Sequence, residues 1–174
     1  MKVLTTGIAL AAIVALAACS SHKSTVATSN GTATVTTSQD DKNVTIQTKE
    51  GTTSIGQNVD TGKLGVAVYP GAQAGQGQSI TTSCDKGSTV ISAFTTPDGF
   101  SKVYDFYKQH LPADSEKMKV SSGNGSMASF QVGDATGPDE VTVQVSSDKP
   151  TETDILITHV VKTGASTPSP APSD

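Results

Sequence analysis

The side chains best suited to chemistry in this 174-residue sequence are three histidines and two cysteines. His22, His110 and His159 are not at ligand-like spacings, and the chain has no Cys/His cluster of the zinc-binding type. There is no Gly-x-Ser-x-Gly turn to present a catalytic serine, and no glycine-rich phosphate loop with a Lys-Ser/Thr ending. We therefore expect no catalytic residues, no metal ligands and no cofactor, so the protein is not predicted to be an enzyme.

The carboxylates offer a weaker possibility. Asp134, Asp139 and Glu140 lie close together and could chelate calcium, but their spacing is not that of an EF-hand loop. A solvated connection between strands is the favoured interpretation. Asp114 and Glu116 are predicted to lie in a wet loop that follows a helix.

The tyrosines are the last candidates for a site. Tyr69, Tyr104 and Tyr107 could line a pocket, together with Phe100. At strand-end and helical positions, however, tyrosines more often belong to the core with the hydroxyl at the surface. A pocket between helix and sheet would suit a small apolar ligand, and this carrier function is kept as an alternative.

The amino terminus has the pattern of a secretory signal. Lys2 precedes an apolar run over residues 7–18, and the run ends in Leu16-Ala17-Ala18-Cys19. A membrane-spanning helix needs about 20 apolar residues, so this run is too short to cross a bilayer. Its charge, length and small residues are typical of a signal peptide over residues 1–18.

The four residues that end this segment resemble the lipobox of bacterial lipoproteins. The resemblance implies that the Cys19 thiol receives a diacylglyceryl group and that cleavage follows Ala18. Acyl chains such as palmitate contribute about 0.8 kcal/mol per buried methylene, so several chains form a stable membrane anchor. The implied location is extracytoplasmic, and Ser20 favours the outer membrane if the host is Gram-negative.

Charge and composition limit the classes of partner that we expect the protein to bind. All 12 basic residues are lysine, and the chain without residues 1–18 has 11 of them against 16 acidic residues. An acidic chain without arginine lacks the basic surface and the guanidinium fork that nucleic-acid binding requires. We expect contact with a membrane through the lipid on Cys19, a possible envelope-protein or cell-wall partner, and no nucleic acid.

The predicted organisation has five segments. The first is the signal, and the second is the lipidated cysteine with a Ser/Thr-rich tether, in which Asn30-Gly31 is a good hairpin turn. A small hairpin or edge element precedes the main domain, and a Pro/Ser-rich tail, predicted to be disordered, ends the chain. The boundaries are 1–18, 19–43, 44–63, 64–163 and 164–174.

The main domain is predicted to be α+β: an antiparallel sheet of about five strands with one amphipathic helix on one face. Thr96 is the expected helix N-cap, Pro97 suits the first helical position and Pro112 ends the helix. Cys84, left without a partner by lipidation of Cys19, is expected to be a partly buried strand residue. The predicted strands cover residues 64–69, 79–84, 88–95, 127–132, 140–146 and 154–162.

A second resemblance covers about 45 residues of this domain. The segments 64–72, 94–98 and 103–108 are similar to a "GVxVYPGA … FTTxD … FYK" pattern shared by uncharacterised bacterial envelope and secreted proteins. The resemblance implies an α+β fold and an envelope location, and it implies no activity. The leading hypothesis is a lipid-anchored envelope protein that acts as a non-catalytic binding or structural module. A small-ligand carrier and an enzyme of unrecognised class are the alternatives.

Overall fold

A computed structural model describes residues 22–28, 31–38, 42–123, 125–149 and 151–163. The predicted signal, the lipobox cysteine and the predicted tail over 164–174 lie outside these residues. The regular elements are ten β-strands, one 3-10 turn and one α-helix, α1 (Phe100–His110). The strands are β1 (His22–Thr28), β2 (Gly31–Thr37), β3 (Asn43–Thr48), β4 (Gly51–Gly56), β5 (Gln73–Cys84), β6 (Gly87–Thr96), β7 (Glu116–Ser122), β8 (Gly125–Gly133), β9 (Asp139–Lys149) and β10 (Glu152–Lys162).

All ten strands form one antiparallel sheet in the order β1-β2-β3-β4-β5-β6-β10-β9-β8-β7. Two meanders make up this sheet, one of strands β1–β6 and one of strands β7–β10. They meet where β6 pairs with β10, with Ile155 opposite Phe94 and Ile157 opposite Ser92. That contact is the one strand pairing in the described sheet that does not join consecutive strands.

The prediction of an α+β fold with about five strands is therefore wrong. The described chain is mostly sheet, and its one α-helix covers only part of one face. The prediction failed because it treated low apolar content in the amino-terminal third as a lack of structure. Threonine and valine both favour extended backbone, and each new strand here pairs with the one before it through a short turn.

The amino-terminal strands occupy the ranges that were predicted as a tether and as a small hairpin or edge element. β1 and β2 lie in the range 19–43, predicted as a tether, and they form the hairpin that was its alternative there. β3 and β4 form the small hairpin predicted in the segment 44–63, but they lie between β2 and β5, so this hairpin is internal to the sheet and is not an edge element.

The core lies under the helix, on the carboxy-terminal meander and β6. From α1 come Val103, Tyr104 and Tyr107, all buried. Phe130 of β8 is fully buried beneath them, with ring centroids 5.7 Å from Tyr104 and 6.2 Å from Tyr107. The sheet completes this core with alternating residues of β6, β9 and β10, among them Phe94, Val141, Val143, Val145, Ile155 and Ile157.

Residues 64–69 are not the predicted strand. A 3-10 turn over Thr61–Lys63 leads into an irregular segment whose Leu64 is fully buried. Gly65 has φ +72°, and an added Cβ would lie 2.8 Å from Val141 Cγ2 and 3.2 Å from His159 Cε1. The segment therefore packs flat on the helix side of the sheet and continues the cover that α1 begins.

The helix begins three residues later than predicted. Thr96 Oγ1 accepts a hydrogen bond from the backbone N–H of Asp98, so it caps a turn before the helix. Gly99 is the N-cap, without a side-chain hydrogen bond, and the helix ends at His110, just before Pro112. Glu116 begins β7, an edge strand of mostly exposed residues, where we had predicted a loop.

Candidate functional site

A surface cleft of about 550 Å³ opens between the start of α1 and the β7–β8 hairpin. Three lysines from three different elements line it: Lys102 of α1, Lys119 of β7 and Lys149 at the end of β9. Asp148 is the single carboxylate among its lining residues. The remaining polar lining is supplied by five serines, Ser101, Ser121, Ser122, Ser126 and Ser147.

Nearby acidic groups hold two of the lysines in place. Lys102 Nζ lies 3.0 Å from Asp98 Oδ1 one turn earlier, and Lys149 Nζ lies 3.3 Å from Glu152 Oε1 across a tight turn. Both pairs are exposed, so each contributes little to stability. Their lysines can exchange these partners for an anionic group in the cleft at small cost.

A hydrogen-bonded cluster forms the wall beside the third lysine. The Tyr104 hydroxyl donates to the Glu116 carboxylate, 3.0 Å from both oxygens, and Lys108 Nζ lies 2.5 Å from Glu116 Oε2. Lys119 Nζ sits 3.5 Å from the centroid of the Tyr104 ring, which is a cation–π contact. This arrangement fixes Lys119 at the cleft by packing instead of by an ion pair.

Hydrogen bonding alters the acidity of two carboxylates around the cleft. The Lys108 ammonium, followed by the Tyr104 hydroxyl, lowers the pKa of Glu116. The Tyr69 hydroxyl donates to Asp98 over 2.7 Å and, with Lys102, lowers the pKa of Asp98, while the same bond raises the pKa of Tyr69. Both carboxylates are therefore ionised at neutral pH and complete the polar frame of the site.

We expect the Glu116 contacts to make stability fall in acid. A carboxyl group whose pKa is lowered by folding stabilises the fold above its ordinary pKa, near 4.5, and that contribution is lost as the pH falls through the lowered value. Urea unfolding at a series of pH values should show that the free energy of unfolding falls less in acid for Glu116→Gln than for wild type. Lys108→Gln removes the main cause of the shift and should also flatten the profile. An unchanged profile in both variants would contradict this assignment.

The structure separates the three tyrosines into two kinds. Tyr69 and Tyr104 have hydroxyls that bond carboxylates near the surface, as a core ring with an outward hydroxyl would. Tyr107 departs from that expectation, because it is buried to its hydroxyl, and no described group completes a hydrogen bond of normal geometry with it. Burial raises the pKa of Tyr107 to about 12, partly opposed by the Tyr69 backbone amide.

The described histidines are engaged separately. His159 has both ring nitrogens on acceptors, with Nδ1 2.6 Å from the Lys63 carbonyl oxygen and Nε2 2.6 Å from Asp139 Oδ1. His110 stacks on Phe106 and contacts its backbone oxygen. His22 lies at the start of β1. The structure thus brings none of the three histidines to the cleft.

The acidic loop residues also make local contacts. Asp134 accepts hydrogen bonds from the backbone N–H and the hydroxyl of Thr136, which lower its pKa. Glu140 accepts from the Gln131 side chain. Among the described residues, no group of three His, Cys, Asp or Glu side chains is placed to hold a metal ion.

One of the two cysteines, Cys84, lies among the described residues. Cys84 ends β5 with an exposed thiol, so the prediction of partial burial is wrong. The residue lies on the side of the sheet opposite α1, where nothing described covers it. Cys19, the predicted lipidation site, lies outside the described residues. Within the residues that are described, the chain has no helix with the length and hydropathy needed to span a membrane.

Comparison with known proteins gives no relative. No protein-family model, curated protein or solved structure matches the chain. The "GVxVYPGA … FTTxD … FYK" segments occupy the irregular segment, the end of β6 with the turn after it, and α1. Sequence reasoning missed the lysine cleft, since its three lysines are 17 and 30 residues apart along the chain and meet only through the sheet topology.

Proposed function

We propose that this chain is a lipid-anchored protein of a bacterial cell envelope that acts as a non-catalytic binding or structural module. The observation that carries the proposal is the sequence around Cys19, where a positive residue, a short apolar run and Leu16-Ala17-Ala18-Cys19 follow in order. The anchor would be a thioether-linked lipid on Cys19, and the location would be extracytoplasmic.

The lysine cleft is the proposed contact site for an envelope partner. Its three ammonium groups and five serine hydroxyls suit a surface that presents carboxylate or phosphate groups, such as an envelope protein or a cell-wall polymer. Because the site is an open surface cleft, it is better suited to part of a large partner than to a small molecule that must be enclosed. This supports binding as the function, because the lining offers cations and hydroxyls without a histidine to act as a base.

The carrier alternative has less support from the geometry. A carrier would need a cavity between the aromatic face of α1 and the sheet. Val103 and Tyr107 of that face are instead fully buried, as is Phe130 of β8, whose ring contacts Tyr107. The aromatic side chains that prompted the hypothesis are occupied in core packing. An enzyme is likewise not favoured, since His110 and His159 lie apart and each is held by its own neighbours.

We expect the Cys19→Ala substitution to abolish membrane attachment. Wild-type protein, expressed in a bacterium that processes lipoproteins, should lose residues 1–18, gain the mass of the acyl groups and partition into detergent. Cys19→Ala should gain no acyl mass and stay in the aqueous phase. The measurements are intact mass and detergent partitioning of both proteins. Cys84→Ala is the matched control and should behave as wild type.

The opposite result would exclude a lipid anchor on Cys19. If wild type and Cys19→Ala are both recovered as the same soluble, unacylated protein, the lipoprotein proposal is wrong. A freely diffusing secreted protein would then replace it.

A further inference from the structure

The side of the sheet that faces away from α1 carries an uncovered aliphatic row. Val44, Ile55, Ile80 and Ile91 are direct cross-strand neighbours on the four adjacent strands β3–β6. Ile55 is 36% exposed and Ile80 is 38% exposed, although each is flanked by neighbours on both sides. We call this side of strands β1–β6 and β10 the open face.

The row is part of a wider uncharged surface. Val35 pairs with Ile46 in the next row, and Val26, 51% exposed, extends the surface to β1. Leu156 and Val160 extend it onto β10. Among the described open-face side chains of β1–β6 there is no aspartate, glutamate or lysine, although the chain has 28 such residues in all. On β10 the open face carries two charged residues, Asp154 and Lys162, which lie near the two ends of that strand. The middle of the open face is therefore uncharged.

The helix and the irregular segment that cover the described sheet both lie on its other face. The helix packs its buried side on β8, β9 and β10, and the segment that contains Leu64 packs beside it. Threonine and serine alternate with the aliphatic residues and point to that second face, as in Thr45 opposite Ser54 and Ser79 opposite Ser92. The strands β3–β5 therefore have a polar side and an apolar side.

We propose that the open face is the interface of a homodimer in which two copies pack sheet against sheet. A contiguous exposed apolar surface on a folded protein marks a contact with another molecule. Seven strands at about 4.8 Å and about six residues at 3.4 Å give a footprint of roughly 700 Å². Each partner in a stable interface contributes about 800 Å², so the face has the size that a dimer needs.

The chemistry of the face fits a second copy better than a lipid surface. The described open-face residues include a single lysine, Lys162 at the end of β10, and no tyrosine. The face therefore lacks both the cluster of lysines that binds anionic headgroups and the tyrosines that settle at a membrane interface. Two acidic chains repel each other least where both surfaces are uncharged. Facing rows of branched aliphatic side chains also interdigitate well in two sheets packed about 10 Å apart.

The symmetry of such a dimer is compatible with anchoring, a point that rests on the proposed function. A two-fold axis that runs across the strands, within the plane between the sheets, turns the two open faces toward each other. It also leaves both β1 strands at the same end of the dimer. Cys19 precedes β1 by three residues, so both lipids would enter the same membrane.

We expect the Ile80→Lys substitution to dissociate the dimer. Each of the two copies then places an unpaired lysine in the interface, which should weaken association by more than about 100-fold. The measurement is sedimentation over a range of protein concentrations, with the chain 19–174 that carries Cys19→Ala. This chain retains every described strand and has no lipid, so a failure of the dimer is distinguishable from a failure of the anchor.

The adjacent residue supplies the control. Thr81 follows Ile80 on β5 and points to the other face, so Thr81→Lys should leave the dimer constant within about twofold. Ile80→Thr keeps the branched shape of the side chain and should weaken association about tenfold. This milder variant tests the interface even if the lysine variant does not fold. A reductant excludes a disulfide through the exposed Cys84, and circular dichroism confirms folding.

Three results would overturn the proposal. They are a wild-type chain that stays monomeric at about millimolar concentration, a dimer that Ile80→Lys leaves intact, and a monomer that binds anionic vesicles in a manner dependent on Ile80. The last would assign the open face to lipid.

Discussion

Replacing Phe130 with alanine is expected to lower the free energy of unfolding by about 3–5 kcal/mol. The Phe130 ring is fully buried between the sheet and α1, where it contacts the rings of both Tyr104 and Tyr107. Alanine would leave a cavity at the centre of the core, which the rigid sheet beneath cannot fill. Urea unfolding of the chain 19–174 with Cys19→Ala measures the change.

An exposed residue on the neighbouring strand provides the control for Phe130. Met118 of β7 is 42% exposed, and Met118→Ala should change stability by no more than about 0.5 kcal/mol. If Phe130→Ala lowers the free energy of unfolding as little as Met118→Ala does, α1 does not pack on β8 as described. The assignment of the cleft beside Tyr104 would then fail as well, because α1 forms one of its walls.

Gly87→Ala is expected to lower the free energy of unfolding by about 3 kcal/mol or more. Gly87 begins β6 with φ +140°, a backbone conformation that residues with a side chain rarely adopt. An added Cβ would also overlap the carbonyl oxygen of Val161. The overlap lies at the junction of the two meanders, where β6 pairs with β10. The substitution therefore strains the one pairing that joins them.

Gly71→Ala separates backbone strain from the clash. Gly71 also has a positive φ, +83°, but nothing lies within 4 Å of an added Cβ there. Its substitution should cost only the conformational strain, about 1–2 kcal/mol. Both variants can be compared by thermal and urea unfolding. Equal losses at the two glycines would contradict the close approach of β6 to β10 at Gly87.

The carboxy-terminal strands were predictable because their patterns are regular. Val141, Val143 and Val145 alternate with polar residues, and all three are buried in β9. The helix face was equally clear, since Val103, Tyr104 and Tyr107 recur at helical spacing and are all buried. Such periodicity reports directly which side of an element meets the core.

β1 and β2 were assigned to a tether and the β3–β4 hairpin to an edge, because the two faces of these strands are not divided into core and solvent. Alternation in β2 and β3 sets threonine against valine or isoleucine, and both kinds of residue remain partly exposed. β7 was missed for a related reason, since Lys117 and Lys119 on an edge strand resemble a loop in composition. Strands held mainly by pairing with their neighbours carry a weak hydrophobic signal.

The candidate cleft could not be predicted from the sequence for a different reason. No local pattern connects Lys102, Lys119 and Lys149, which belong to a helix and two strands. Their meeting depends on β9 lying between β8 and β10, with α1 above them. A site assembled from distant lysines and common serines becomes visible only with the fold.

The order of the strands also determines how far the molecule can reach. β1 and β7 are the two outermost strands, separated by nine intervals of about 4.8 Å, so they lie roughly 40 Å apart. The lysine cleft is at the β7 end, and Cys19 adjoins β1. With a lipid on Cys19, the sheet would act as a stiff spacer that holds the cleft well beyond the headgroups. Removing β1 and β2 would shorten that spacer by about 10 Å.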